Sequence, residues 1–495
     1  MLVDHAEKTR RDVSPQLNVQ RKSALGQFMT PSPVAAFMAA MFPPSDIEVA
    51  KLLDAGAGIG ALSSAFLERW QKKGFAFSRV EVTAHELDDA LRGHLSTTLA
   101  QFVDPKRLVV HVVPGDFIIQ TALAILEDRA SRCFTHAILN PPYKKINGDH
   151  QHRHALRQVG IETVNLYAGF VALAIDLMAP GGQLVAIIPR SFCNGTYYRP
   201  FREWILAKTA LRAMHLFESR SQAFSDDEVL QENIVIRLER GGEQGPVTVT
   251  TSTDSTFADI ETHEHPFERI VFPGDVERFI HVPTSPEETE LEQSTGVRLT
   301  LTDLGLRVST GPVVDFRLRD HLRADLEPES VPILYPQHFT PDGVVWPTPS
   351  GGKKPNAIMV NDTTMGWLMP NAYYCVVKRF SSKEERRRIV ATVIRPDDFP
   401  ADTEFLALEN HLNVFNVKRG GLPELLAYGL AVFMNSTAVD EAFRRFSGHT
   451  QVNAGDLKTM RYPSRETLMK LGEWGKENPY ADQAAIDEQF KRMSE

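Results

Sequence analysis

Between residues 50 and 245 short apolar runs of strand length alternate with longer stretches whose apolar positions recur at helical spacing. That alternation is the pattern of a βαβ sheet. Strands are expected at KLLDAG (51–56), RVEVTAHEL (79–87), RLVVHVV (107–113), HAILNPP (136–142), GQLVAIIP (182–189), ALRAMHLFE (210–218) and NIVIRLER (233–240). Helices are expected over 61–73, 88–102 and 165–178, with Gly181 and Gly182 as the stop before the next strand. The pattern predicts one doubly wound α/β domain over residues 1–245.

The periodicity then changes. Residues 246–300 open with GGEQGPVTVTTSTDST just upstream and across the boundary and continue rich in Pro, Glu and Thr, so a short hairpin followed by an acidic linker is expected. Residues 301–463 carry β-rich pieces such as LRVSTGPVVDFRL and NAYYCVVKRF before a long helical run over 422–446, which predicts a separate mixed α/β domain. Residues 464–495 read as a solvated helical tail.

A length of 495 residues is too great for one ordinary core and agrees with two or three domains. No segment approaches the roughly 20 apolar residues of a membrane span, and the polar start lacks the apolar core of a secretory signal, so a cytoplasmic protein is expected. Cys133, Cys193 and Cys375 are too scattered for a disulfide framework or a zinc site. The net charge of −9 looks adverse to nucleic acid, but residues 246–300 hold 3 basic against 11 acidic side chains. The surplus acid is local, and affinity for DNA depends on a local basic face, so charge neither excludes DNA nor argues for it.

Chemistry enters at LLDAGAGIGAL (52–62), an apolar strand that ends in Asp54 and Ala55 and passes through Gly56, Gly58 and Gly60 into a helix. Small residues there let the backbone approach a ligand at a helix N-terminus. A dinucleotide loop and an unliganded tight turn fit the same pattern. Glu86, at the end of the next strand, is placed to accept hydrogen bonds from a ribose diol, or is an acid at a helix start. Asp116 follows the third strand and could accept from an adenine amino group with Phe117 stacking on the ring, or simply cap a helix.

AILNPPY (137–143) is the most specific signal. The lone pair of an aromatic amine is delocalised into its ring, so the nitrogen becomes nucleophilic only as it turns toward tetrahedral geometry. Two acceptors aimed at its hydrogens favour that change. The Asn140 side-chain oxygen and the Pro141 carbonyl suit the task, Pro142 stiffens the turn, and Tyr143 offers a stacking face. In a duplex the base must first leave the stack. An Asn-Pro turn closing a strand is the plainer alternative.

The order of these motifs, LGQFMTP (25–31), DAGAGIG, NPPY and then an extra C-terminal domain, resembles the γ arrangement of adenine-N6 DNA methyltransferases. VSTGPVVDFR (308–317) and SGHTQVNAGDLKTM (447–460) further resemble the PstI/BsuBI-type enzymes of type II restriction–modification systems. The resemblance implies a Rossmann-like sheet that binds S-adenosylmethionine and a C-terminal mixed α/β target-recognition domain. It implies that Thr30, Pro31, Asp54, Ala55 and Gly56 hold the methionine part of the cofactor and that Gly58 also belongs to its binding site. Glu86 would take the ribose, and Asp116 and Phe117 the cofactor adenine. Asn140, Pro141, Pro142 and Tyr143 would hold the target base, with Phe224 as a second stacking ring and NLY (165–167) supporting the catalytic loop. Double-stranded DNA is the implied partner of a monomer, with a cognate endonuclease encoded nearby.

Lys144, Lys145, Arg153 and Arg157 after NPPY, and Lys378, Arg379, Arg386, Arg387, Lys418, Arg419, Arg444 and Arg445 in the C-terminal domain, are candidate phosphate contacts or plain solvated charges. Asn413, His449, Gln451 and Asn453 could touch base edges. His150, His152 and His154 lack a carboxylate or thiolate set to complete a metal site. Methylation of RNA bases or protein glutamine, and a noncatalytic DNA-specificity subunit, remain as alternatives. A large second domain favours DNA, and intact NPPY favours an enzyme.

Overall fold

Successive residues of a strand face opposite sides of a sheet, and the central strands of this chain bury both. In β1 (Val49–Ala55), Leu53 and Ala55 join one core cluster while Ala50 and Leu52 join the other. Helices cover both faces, as a sheet so apolar requires. On one side lie α2 (Ser32–Ala40) and α3 (Ala61–Gln71), following α1 (Leu2–Val13). Further along the chain come α4 (Asp89–Leu99), α5 (Phe117–Leu126) and α6 (Gln151–Gln158). The other face is covered mainly by α7 (Leu166–Leu177), with α8 (Arg199–Lys208). All twelve residues of α7 are buried, which explains its apolar sequence on every side.

This computed structural model describes residues 2–13, 29–102, 104, 106–217, 232–285, 287–288, 290–340, 343–348, 354–381, 385–446 and 451–494. It divides into two units, Met1–Pro286 and Glu287–Glu495. In the first, β2 (Arg79–Glu86), β3 (Leu108–Pro114), β4 (Phe134–Leu139), β5 (Met178–Pro189), β6 (Thr209–Phe217), β7 (Asn233–Arg240), β8 (Val247–Ser252) and β9 (Glu261–His265) join β1 in the order β3-β2-β1-β4-β5-β7-β6-β8-β9. The first five strands run parallel and β7 runs antiparallel to both neighbours. Strand order reverses at β1, which lies between β2 and β4, so a crevice opens at the carboxyl ends of these strands.

The boundaries differ from the expected ones at three places. Residues 246–300 do supply a hairpin, but β8 pairs in parallel with β6 and β9 follows β8, so the hairpin extends the large sheet instead of leaving it. The division between units falls after Pro286, not near residue 245. The strand expected at 182–189 begins at Met178, which pairs with Phe134 of β4 directly after α7 ends at Leu177, and Gly181 with a left-handed φ of 77° lies within the strand instead of stopping the helix.

The second unit holds a four-stranded antiparallel sheet in the order Arg307–Thr310, Leu412–Asn416, Tyr374–Lys378 and Ala391–Ile394. A five-stranded mixed sheet lies beside it in sequence, with Ser330–Leu334 and Phe405–Leu408 parallel at its centre. The helical run over 422–446 is two helices, α9 (Glu424–Met434) and α10 (Thr437–Phe446). The break is enforced at Asn435, whose amide both donates to the Ala391 carbonyl and accepts from the Ala391 N–H, at 2.9 Å each. After α11 (Ala454–Thr459) come α12 (Arg465–Glu477) and α13 (Gln483–Ser494). Residues 464–495 are therefore helical but not a solvated tail. Gly429 of α9 and Gly472 of α12 bring the two backbones so close that a Cβ at either would lie 1.8 Å from a carbonyl oxygen of the facing helix.

Candidate active site

The site grows from the carboxyl ends of β1, β2, β3 and β4. After Ala55, the chain turns through Gly56 and reaches α3 at Gly60, with φ of 80° and 88°, a region that side chains with a Cβ avoid. A Cβ at Gly60 would also meet Leu95 Cδ1 at 2.9 Å. The Gly58 N–H donates to Glu86 Oε2 at 2.8 Å, and Glu86 Oε1 accepts from the Asp88 N–H at 2.8 Å. The glycine turn and the acid of the next strand thus form one wall, and burial pushes the Glu86 carboxyl above its usual range despite those bonds.

That wall belongs to a cavity of about 330 Å³, within the range of small-molecule sites. Thr30, Gly56, Gly58, Glu86, Asp116, Phe117, Asn140, Pro142 and Lys144 all line it. Residues far apart in sequence are brought to one cavity. Asp116 caps α5, its Oδ1 accepting from the Ile119 N–H at 3.0 Å, and its Oδ2 accepts from His152 Nε2 at 2.6 Å. Burial alone would raise the Asp116 carboxyl, but the hydrogen bonds from His152 and the helix start outweigh it and hold the group below its ordinary value. Phe117 is buried edge-on to His85 and tilted against Phe170.

Pro31, Asp54, Ala55, Pro141 and Tyr143 stand behind the wall and shape it. Pro31 precedes α2 as its N-cap. Asp54 is fully buried, and its Oδ2 accepts from the Ser63 hydroxyl at 2.6 Å and the Ser63 N–H at 3.2 Å, tying β1 to α3. Its Oδ1 has no hydrogen-bond partner among the described residues. Burial pushes the carboxyl up to about 7, with the hydrogen bonds from Ser63 opposing and the nearby Glu86 adding to the rise.

At the end of β4, Asn140 Nδ2 donates to Thr30 Oγ1 at 2.9 Å. The Tyr143 hydroxyl lies 3.2 Å from both Asn140 Oδ1 and the Ile187 carbonyl, to either of which it can donate. The Tyr143 ring packs edge-on to Tyr167, and burial raises its phenol. Asn165 and its neighbours sit beneath this turn. The Leu166 N–H donates to the Lys144 carbonyl and the Ile146 N–H to the Val164 carbonyl, both at 2.9 Å. Asn165 Nδ2 itself donates to the Tyr198 hydroxyl at 2.5 Å.

Several residues of the cavity wall were not expected there: His85 and Phe170 carry no motif signal, Met29 lies within LGQFMTP without a role of its own, and His150 and His152 enter the sequence reading only as possible metal ligands. His85, pushed down to about 4 by burial, is neutral at pH 7. Met29, His150, His152 and Phe170 also line the cavity. Phe170 could have been found from the apolar helix that follows NLY, whereas the position of His152 depends on how α6 folds back.

Other candidates fall elsewhere. Phe224 and His449 lie outside the described residues. Lys145 is exposed, while Arg153 and Arg157 are both paired with Glu162. Arg387, expected as a DNA contact, is instead a structural side chain. It donates to the Ser436 carbonyl at 2.9 Å and to Gln483 at 2.5 Å, joining the start of α10 to α13. Arg386 beside it is exposed. Asn413 is buried, with Nδ2 on the Val452 carbonyl, and Asn453 shares a capping box with Asp456. Asn413 is thus fixed in the interior of the second unit, and Asn453 is half-buried at a helix start. Among the described residues no cluster suited to a metal ion occurs, and no helix is long and apolar enough to cross a membrane.

Comparison with known proteins adds independent support. Residues 101–224 match the family model described as Eco57I restriction-modification methylase. The chain is 47% identical over 498 aligned residues to the type II methyltransferase M.BsuBI of Bacillus subtilis, covering 99% of this chain and 98% of that protein. It is 40% identical to the type II methyltransferase M.PstI of Providencia stuartii, covering 93% and 91%. Among solved structures, the type IIL restriction-modification enzyme MmeI in complex with DNA has a similar fold, with a TM-score of 0.52 at 9% identity over 93% of this chain and 70% of that one.

Proposed function

Because this chain belongs to the type II methyltransferases of restriction–modification systems, we propose that it methylates N6 of an adenine at a specific site in double-stranded DNA. The observation that carries the reading is Asn140. It ends a buried strand at the mouth of a cavity walled by Glu86 and Asp116, with its amide nitrogen committed to Thr30. With Nδ2 so held, Oδ1, which lies 3.2 Å from the Tyr143 hydroxyl, is the atom we assign to accept from a substrate donor.

The cavity suits S-adenosylmethionine. A cradle of glycine backbone, two acids at successive strand ends and a buried aromatic ring offer acceptors and apolar surface of the kinds that this molecule needs. When bound, the cofactor supplies an electrophilic methyl group on its sulfonium. Glu86 would hold the ribose hydroxyls, Asp116 the adenine amino group with Phe117 against the ring, and the loop 54–58 with Thr30 and Pro31 the methionine part.

The chain's own contribution to transfer is orientation and polarisation. Asn140 Oδ1 and the Pro141 carbonyl accept from the two hydrogens of the target amine, Pro142 stiffens the turn, and Tyr143 supports the base by stacking. This arrangement favours the pyramidal nitrogen and stabilises the positive charge that develops on it. A base in a duplex reaches such a turn only once flipped out. Adenine is preferred over cytosine by motif order, since the amino groups of both pose the same chemical problem.

We assign sequence reading to residues 287–495, and phosphate contacts to Lys144, Lys145 and Arg386. The near full-length similarity to type II methyltransferases supports DNA over RNA or glutamine as substrate, and an enzyme over a specificity subunit. A monomer acting on each strand in turn, with a cognate endonuclease encoded nearby, completes the reading. Expression in a host lacking adenine methylation, followed by modification-sensitive sequencing, tests it. A single motif bearing N6-methyladenine is expected; unmodified DNA, or N4-methylcytosine, would refute it.

A further inference from the structure

The loop that follows the catalytic motif returns to close the cofactor cavity, and its contact there has a consequence for binding. His152, in the first turn of α6, donates from Nε2 to Asp116 Oδ2 at 2.6 Å. Its side chain is 13% exposed, and its ring stacks on that of His150, which caps the same helix. The helix is anchored independently of this contact. Arg153 and Arg157 both bond Glu162, and Leu156 packs so tightly on Gly169 of α7 that a Cβ there would meet Leu156 Cδ1 at 2.6 Å.

Both oxygens of Asp116 are therefore engaged, Oδ1 by the Ile119 N–H of its own helix and Oδ2 by an imidazole from a separate element. An adenine 6-amino group needs one of them. The cap is part of α5 and cannot withdraw without unwinding it, whereas the imidazole can leave by rotating a side chain.

We propose that His152 is a competitor for the cofactor's adenine, a latch that occupies Asp116 Oδ2 until the 6-amino group displaces it. The inference rests on the cofactor assignment above and extends it. His152 sits on the same loop as Lys144, within a dozen residues of Asn140, so displacement of the latch links occupation of the cofactor cavity to the position of the segment just after the catalytic turn.

The test is isothermal titration of the full chain with S-adenosylhomocysteine and with its 6-oxo inosine analogue, which lacks the amino group. His152→Ala should tighten binding of S-adenosylhomocysteine about tenfold, the scale of one charge-assisted hydrogen bond no longer to be broken. Binding of the inosine analogue should change less than about twofold on the same scale. His152→Asn, too short to reach Asp116 but polar at the helix start, should behave like the alanine variant and guards against a folding defect in either. Equal tightening for both ligands would mean a merely wider cavity and would overturn the latch. Unchanged or weaker binding of S-adenosylhomocysteine would overturn it too, since His152 would then be neutral or part of the bound site. If the unaltered protein binds neither ligand, the cofactor assignment itself falls and the latch with it.

Discussion

Asn140 Nδ2 and Thr30 Oγ1 lie 2.9 Å apart, although 110 residues separate them in sequence. The bond joins the segment that precedes the sheet to the end of β4, and in the proposed mechanism it sets which end of the Asn140 amide would meet the target base. Thr30→Val keeps the shape but removes the acceptor. It is expected to lower kcat roughly tenfold, the cost of one lost orienting hydrogen bond. Thr30→Ser should restore most of the rate. Single-turnover methylation with saturating cofactor measures both, and a Val variant as fast as the parent would show that Asn140 is oriented by other contacts.

Removing the amide altogether is the sharper test of the catalytic turn. Asn140→Ala should reduce methyl transfer by a factor on the order of 10² to 10³, the range seen when one preorganised transition-state acceptor or donor is lost. Affinity for S-adenosylmethionine should change little, because the proposed cofactor contacts lie at Glu86, Asp116 and the glycine turn. Turnover near the parental level would remove Asn140 from the mechanism.

How far the sequence revealed this site follows from the range of the interactions involved. The places of Asn140 and Glu86 on the cavity wall were legible because each stands at the end of a strand with a plain pattern, the buried run HAIL of β4 for Asn140 and the alternation RVEVTAHE of β2 for Glu86. The turn residues Gly56 and Gly60 announce themselves by needing a left-handed φ. His152 was not legible, because its place depends on Arg153 and Arg157 finding Glu162 and on Leu156 finding Gly169. No local period encodes such contacts. The hairpin of β8 and β9 was misassigned for a related reason. Its alternation was plain, but its pairing with β6 is a long-range choice. In RRRIV the three arginines look equivalent in sequence, yet Arg386 is exposed, Arg387 bridges α10 and α13, and Arg388 is buried.

The buried Asp54 makes stability depend on pH in a definite direction. Its carboxyl is raised by burial from 3.8 to about 7 in the folded protein, so the folded state holds a proton that the unfolded state releases between those values. Asp54 therefore withdraws stability as pH rises from about 4 to about 7, and no further above. At about 1.4 kcal/mol per pH unit the whole effect amounts to a few kcal/mol. Asp54→Asn does not titrate, so its stability relative to the parent should rise through this window and level off beyond it. Urea midpoints at pH 5, 6, 7 and 8 without cofactor measure the difference. A constant offset would mean that Asp54 is ionised in the folded protein throughout.

The packing of α9 on α12 carries the last prediction, because it decides whether residues 464–495 are an appendage or part of the second unit. Gly429 faces the Leu468 carbonyl and Gly472 faces the Leu425 carbonyl, and a Cβ at either position would come within 1.8 Å of that oxygen. Backbone atoms cannot yield as a flexible side chain would, so the helices must separate. Gly429→Ala should destabilise the second unit by roughly 1–3 kcal/mol, the usual cost of overpacking, even though alanine is the better helix former. Deleting 464–495 should cost more, since it uncovers Val432 and Phe433 of α9, which pack on Gly475 and Phe490, and removes the Gln483 partner of Arg387. In both variants binding of S-adenosylmethionine should persist, because every residue of the cavity wall lies in the first unit. Sequence-selective DNA binding should weaken in parallel with the loss of stability. Limited proteolysis with and without cofactor, alongside gel-shift titration of methylatable DNA, reads the two halves separately. If the truncated protein resists cleavage and still selects its site as the parent does, the final helices are dispensable to the second unit.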